Sequence, residues 1–211
     1  ASQQTNPLVG AIAARDRAGT FLNCGDFDGG LTVVDRAIVT ADSALSGPEK
    51  AFALGTLHLR GMTLAGRRAD RAEAQRHIHQ AWVAAQEFPS DLALHNQDFG
   101  PANTATHVLA TEGDLGRPNE VIRLAEELFT RDTGLPPTRL VDAYISTARA
   151  QLDVGDRDGA EGSLVRAWDV APQKAKTHPM SNEVLRVLLS LNRRSKPKLV
   201  QLARRAGFTG S

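Results

Sequence analysis

From Tyr144 to Pro172 the chain reads YISTARAQLDVGDRDGAEGSLVRAWDVAP. The stretch constrains the fold more than any other, because it reads as two short helices joined by a tight turn. Ala148 lies seven residues before Gly155, and Ala160, Leu164 and Ala167 follow it at five, nine and twelve. Alanine at 148 and 160 lets two helix backbones approach closely. Gly155 tolerates positive φ at the turn, where a Cβ is costly. Leu164 and Ala167 share one face of the second helix. Pro172 cannot continue that helix. One such unit cannot bury its own apolar face, so the chain must hold others.

Three more follow from the same offsets. Around Gly25 stand Ala18, Gly30, Val34 and Ala37; around Gly116 stand Leu109, Val121, Ala125 and Leu128. Around Gly66 the residues Ala74, Ile78 and Ala81 keep the spacing but come three late, which implies a longer turn. The pattern is close to the tetratricopeptide repeat. Its turn glycines are 41, 50 and 39 residues apart, against 34 in a regular array. The expected fold is an all-α, tetratricopeptide-like right-handed helical solenoid, four helix pairs plus two C-terminal helices, in a single domain over 1–211.

Helices are expected at 8–23, 31–45, 49–65, 71–87, 101–113, 118–130, 138–152, 157–170, 182–191 and 196–206. Ser181 is the expected cap of the ninth. Residues 173–179 read as a linker, and 91–100 (DLALHNQDFG) as a long polar-aromatic loop of the kind that carries function. No segment alternates with period two over a useful length, so no sheet is expected.

With 41% hydrophobic and 23% charged residues, the composition is that of an ordinary globular chain. The formal net charge of +1 gives no general attraction to nucleic acid or acidic membranes. The single cysteine, Cys24, excludes an intrachain disulfide and points to a reducing, cytoplasmic location. No apolar run reaches the ~18 residues of a membrane span, and no signal-peptide pattern opens the chain.

The segments DFGPANTATHVLATEGDLGRPNEVIRLAEEL and THPMSNEVLRVLL carry a family resemblance. They resemble the C-terminal tetratricopeptide-like region of bacterial Cro/repressor-type helix-turn-helix transcriptional regulators. The matching residues are Phe99, Gly100, Pro101, Asn103 and His107, then Thr177, His178 and Pro179. The resemblance implies a region that senses a ligand or partner and forms a homodimer. DNA would be met only through a helix-turn-helix domain, which this sequence does not contain. The chain is thus expected to be the regulatory part of a longer regulator, or a stand-alone relative. The alternative is a protein-interaction scaffold that binds a partner peptide in its concave groove.

In tetratricopeptide arrays the first helix of each pair lines that groove. Counting back from each turn glycine makes Asn103, His107, Arg15, Arg60, Asp142 and Arg149 candidate ligand-binding residues. An Asn side chain can both donate to and accept from an extended peptide backbone. The arginines could hold a carboxylate. Equally, Asn103 could brace its own helix, and the arginines could be solvated or paired with nearby acids. A peptide or a small signal molecule is the expected occupant.

No metal or cofactor is expected. His77 and His79, two apart on a helix, do not share a face; His95 and Asp98 share a loop but lack a third ligand. Trp82 and Trp168 read as packing residues. The basic run 193–205 (RRSKPKLVQLARR) reads as the polar face of a capping helix. No enzyme is expected: Cys24 has no histidine partner, and no nucleophile elbow or phosphate-binding loop is present.

Overall fold

The computed structural model describes residues 6–130, 133–191 and 197–207. Eleven helices and one short hairpin stand among them. The chain divides into two compact units, 1–115 and 116–211.

The N-terminal unit holds two helix pairs, the hairpin and a fifth helix. Its helices are α1 (Pro7–Cys24), α2 (Phe27–Ala44), α3 (Gly47–Arg67), α4 (Arg71–Ala85) and α5 (Pro101–Asp114). The starts are chemically marked. Asn6 Oδ1 accepts from the Leu8 N–H, Asp26 caps α2 through the Gly29 N–H, and Asp70 caps α4 through the Glu73 N–H. The turn residues Gly25, Gly116 and Gly155 have φ of 76°, 69° and 82°, the left-handed values that glycine adopts without cost.

In the second pair, Gly66 is not the turn residue. It is the penultimate residue of α3, and the left-handed position falls to Ala69, with φ of 58°. From Ala69, the residues Ala74, Ile78 and Ala81 stand at the regular five, nine and twelve. The three-residue lag around Gly66 is therefore no longer turn; it is the standard turn with alanine in glycine's place.

Helix α3 is the axis of this unit. It packs against α1, α2, α4 and α5 and is buried on nearly every side. Its glycines are slots for its neighbours. A Cβ on Gly55 would lie 2.0 Å from the Phe99 ring, one on Gly61 2.3 Å from the His77 imidazole, and one on Gly66 3.0 Å from Thr111 Cγ2.

The segment 91–100 is not an irregular loop. Leu92–Leu94 (β1) pairs antiparallel with Gln97–Phe99 (β2), Leu92 opposite Phe99 and Leu94 opposite Gln97. His95 and Asn96, with φ of 49° and 59°, form the two-residue turn, the type I′ geometry that matches strand twist. Three residues per strand are too few for alternation to be legible in sequence. Phe99 is fully buried and meets Phe52 and Phe88 edge-on, with ring centroids 6.0 and 5.7 Å away.

The C-terminal unit holds α6 (Pro118–Phe129), α7 (Pro137–Asp153), α8 (Arg157–Val170), α9 (Pro172–Thr177), α10 (Pro179–Leu191) and α11 (Pro197–Ala206). Its core joins Val141, Ile145, Ala148, Ala160, Leu164 and Ala167 to Leu185, Leu188 and Leu199. Two expectations are corrected here. Residues 173–177 of the expected linker belong to helix α9, and Pro172 opens it where its missing N–H costs nothing. Ser181 does not cap α10 but lies inside it, wholly buried, and its Oγ accepts from Trp168 Nε1 at 3.2 Å. Arg205 stacks over the Trp168 ring at 5.3 Å. Residues 193–196 of the basic run lie outside the described residues.

Candidate functional site

In the N-terminal unit the hairpin lies against the first helices of the repeats. Strand β2 packs on α3 and α5, and Gln97 Nε2 donates to Asp16 Oδ1 of α1 at 3.2 Å. The hairpin is fastened to the start of α5 by side-chain hydrogen bonds. Asp91 accepts from the Ala102 and Asn103 backbone N–H groups at 2.9 and 2.8 Å, satisfying two of the donors that a helix start leaves open. Burial, with Asp98 nearby, raises the Asp91 carboxyl above its usual range, against the pull of those two bonds. Gly100 makes this possible, since a Cβ there would come 2.5 Å from Asp91 Oδ1.

Asn103 is 1% exposed, and its Nδ2 donates to the Asp98 carbonyl at 2.6 Å. It thus binds an extended backbone, and that backbone is the chain's own hairpin. Its Oδ1 is buried without a hydrogen-bond partner among the described residues. Arg15 is buried, and its Nη1 donates to Asp16 Oδ1 at 3.1 Å, the same atom that Gln97 reaches. Arg60 is half-buried, with its guanidinium against Gly19 of α1, where a Cβ would lie 3.3 Å from Nη2. His107 is half-buried on α5. The four N-terminal candidates therefore belong to α1, α3 and α5, the helices beside the hairpin.

The two C-terminal candidates sit on α7. Asp142 Oδ2 accepts from Lys174 Nζ at 2.6 Å, and Lys174 also donates to the Thr138 carbonyl at 2.5 Å, which ties α9 to α7. His178 Nε2 is 4.0 Å from Asp142 Oδ1, and burial holds its pKa below the usual histidine value. Arg149 is exposed. The acid that ties Lys174 was legible as a groove position; the helix that supplies the lysine was not.

A second cluster was missed by spacing alone. His77 of α4 is wholly buried on Gly61, and its Nδ1 lies 2.8 Å from Nδ1 of the buried His58. Arg76 Nη2 is 3.2 Å from His77 Nε2 and 2.9 Å from Asp35 Oδ1, and it also bonds Glu73. Arginine only donates, so His77 Nε2 accepts and its Nδ1 carries the proton, which it donates to His58. Burial depresses both histidines, His58 to about 3 and His77 to about 4, with Arg76 adding to the effect. Both rings are therefore neutral at physiological pH. The Glu73–His77 half of this cluster, four residues apart on one helix face, could have been read from the sequence; Asp35 could not.

An open cleft of about 460 Å³ runs between α1 and α2, lined by Gly10, Ala14, Ala37 and Ala41 with Arg17 and Arg36. No helix among the described residues is long and apolar enough to cross a membrane.

No protein-family model and no curated protein matches the chain. Solved structures do resemble it. Pseudomonas aeruginosa PilF matches with a TM-score of 0.60 at 12% identity, over 96% of this chain and 79% of that one. MamA of AMB-1 matches with a TM-score of 0.47 at 12% identity, over 92% of this chain and 98% of that one. The likeness to PilF shows the fold: an all-α, tetratricopeptide-like helical repeat. Nothing in these comparisons links the chain to helix-turn-helix regulators.

Proposed function

We propose that the chain is a protein-interaction scaffold that takes an extended segment of a partner along the first helices of its repeats. One observation carries the reading. The face formed by α1, α3 and α5 already holds an extended strand, through Asn103 to the Asp98 carbonyl and Asp16 to Gln97. Side chains able to grip one backbone there are suited to a second. Arg60 of α3 and His107 of α5 are half-buried groups on the same helices, and Arg15 donates to Asp16. Asp142 and Arg149 are the corresponding groups of the C-terminal unit. Asn103 supports this site by holding the hairpin in place, and no reaction is assigned to the chain.

The test is selection of a displayed random-peptide library on the immobilised full chain, followed by affinity measurement for the enriched peptides. Arg60→Lys keeps the charge but loses the planar donor fork. It should weaken binding by about 1–2 kcal/mol, roughly five- to thirtyfold, as expected for one lost charged hydrogen bond. Asn103→Ala should lower thermal stability by about 1 kcal/mol through the lost bond to Asp98. An unenriched library, or equal affinity for Arg60→Lys, overturns the reading.

A narrower function, the sensory and dimerising region of a Cro/repressor-type regulator, is favoured by the Phe99-to-His107 and Thr177-to-Pro179 resemblance. It requires a dimer, so sedimentation showing a monomer at tens of micromolar counts against it.

A further inference from the structure

Asp35 of α2 and Glu73 and His77 of α4 each bring one lone-pair atom to a common point, all within 4.8 Å of one another. Glu73 Oε1 and His77 Nε2 are 3.4 Å apart, held by their four-residue spacing on one helix. The point already holds a cation. The Arg76 guanidinium sits between the three acceptors at hydrogen-bond distance. Two carboxylates face this single positive charge, so the cluster keeps a net charge of about −1. A divalent ion would balance both.

The histidine is prepared as a ligand. Its lone-pair atom is Nε2, which faces the cluster and accepts from Arg76 at 3.2 Å, while Nδ1 is engaged by His58 at 2.8 Å. Metal-binding histidines are oriented in this way, through a partner on the other ring nitrogen. The Arg76 side chain is 44% exposed, so it can withdraw into solvent. The donor set, one imidazole and two carboxylates, suits zinc and its neighbours better than magnesium or calcium, which take oxygen alone.

We propose that Asp35, Glu73 and His77 form a divalent transition-metal site of the zinc type, in which Arg76 stands in for the ion. A metal would draw the same three atoms to about 2.0–2.2 Å and leave one position for water. It would join α2 of the first repeat to α4 of the second, a staple independent of the peptide-binding face.

The experiment is calorimetric titration of the chelator-treated full chain with zinc chloride. The wild type should bind one ion. Arg76→Ala should bind at least about tenfold more tightly, because the competing cation is gone. Asp35→Asn and Glu73→Gln should each weaken binding at least about tenfold, as loss of a ligand exceeds the 10–100-fold typical of outer-shell partners. Circular dichroism checks that each variant folds. If one does not, the wild-type ¹⁵N shift of His77 Nε2 on adding zinc gives the same answer. Three outcomes overturn the proposal: no binding by the wild type at millimolar zinc, binding by Arg76→Ala alone, or wild-type affinity in both carboxylate variants, which would place the ion on other histidines.

Discussion

At the scale of single residues, the repeat pattern is enforced by one backbone conformation at each turn. Three turns meet it with glycine and the fourth with Ala69 at φ 58°. A left-handed residue with a Cβ costs roughly 1–2 kcal/mol. Replacing Ala69 by glycine removes that cost but adds about 0.4–1 kcal/mol of unfolded-state entropy. Ala69→Gly is therefore expected to stabilise the protein by ~0.5–1 kcal/mol, read as a rise in the urea midpoint. A fall would mean that the alanine methyl makes a contact worth more than the strain. The same scale explains why the register around Gly66 misled. Gly66 is a packing glycine against Thr111, and composition cannot separate glycine kept for φ from glycine kept for space.

At the scale of elements, α3 and the hairpin depend on each other. Phe99 enters the gap over Gly55 and closes a cluster with Phe52 and Phe88, while Asp91 and Asn103 fasten the strands to α5. Gly55→Ala would put a methyl 2.0 Å from the Phe99 ring, in a site with no room to give. Overpacking of this kind costs about 1–3 kcal/mol. In a domain of this size that lowers Tm by about 2–4 °C for each kcal/mol. The expected signature is a lower Tm together with loss of amide protection in 92–99, measured by hydrogen exchange. Unchanged protection there would show that the hairpin is held by α5 alone. The start of α5 was legible in Pro101; the strands were not, because a hairpin of this length is stabilised by what it lies on rather than by its own pattern.

At the scale of the whole molecule, each of the two units carries its own buried core. Repeat proteins gain stability from neighbour contacts, so a block of repeats with a complete core can fold alone. A fragment ending at Leu115 is expected to show a helical spectrum and a cooperative thermal transition. A fragment that melts without cooperativity would show that residues after 115 are needed to complete its core.

The helices, their order and the repeat could be read from the sequence because each rests on local chemistry. A capping acid, a glycine past a helix end and apolar residues at three- and four-residue spacing act within a few turns of themselves. The helix ends expected around α1, α4, α5, α7 and α8 fall within two residues of those observed. The candidate residues were legible as positions on a helix face, and Arg15, Arg60, Asn103 and His107 do lie on α1, α3 and α5. What those side chains touch was decided only by tertiary structure. Asn103 meets a carbonyl five residues earlier because strand β2, held against α3, turns through Gly100 into α5; Asp142 meets a lysine 32 residues later. Asp35, Glu73, Arg76 and His77 converge because α2 and α4 both flank α3. A side-chain partner from another element leaves no period in the sequence, since its position follows from how helices stack and not from where residues stand along the chain.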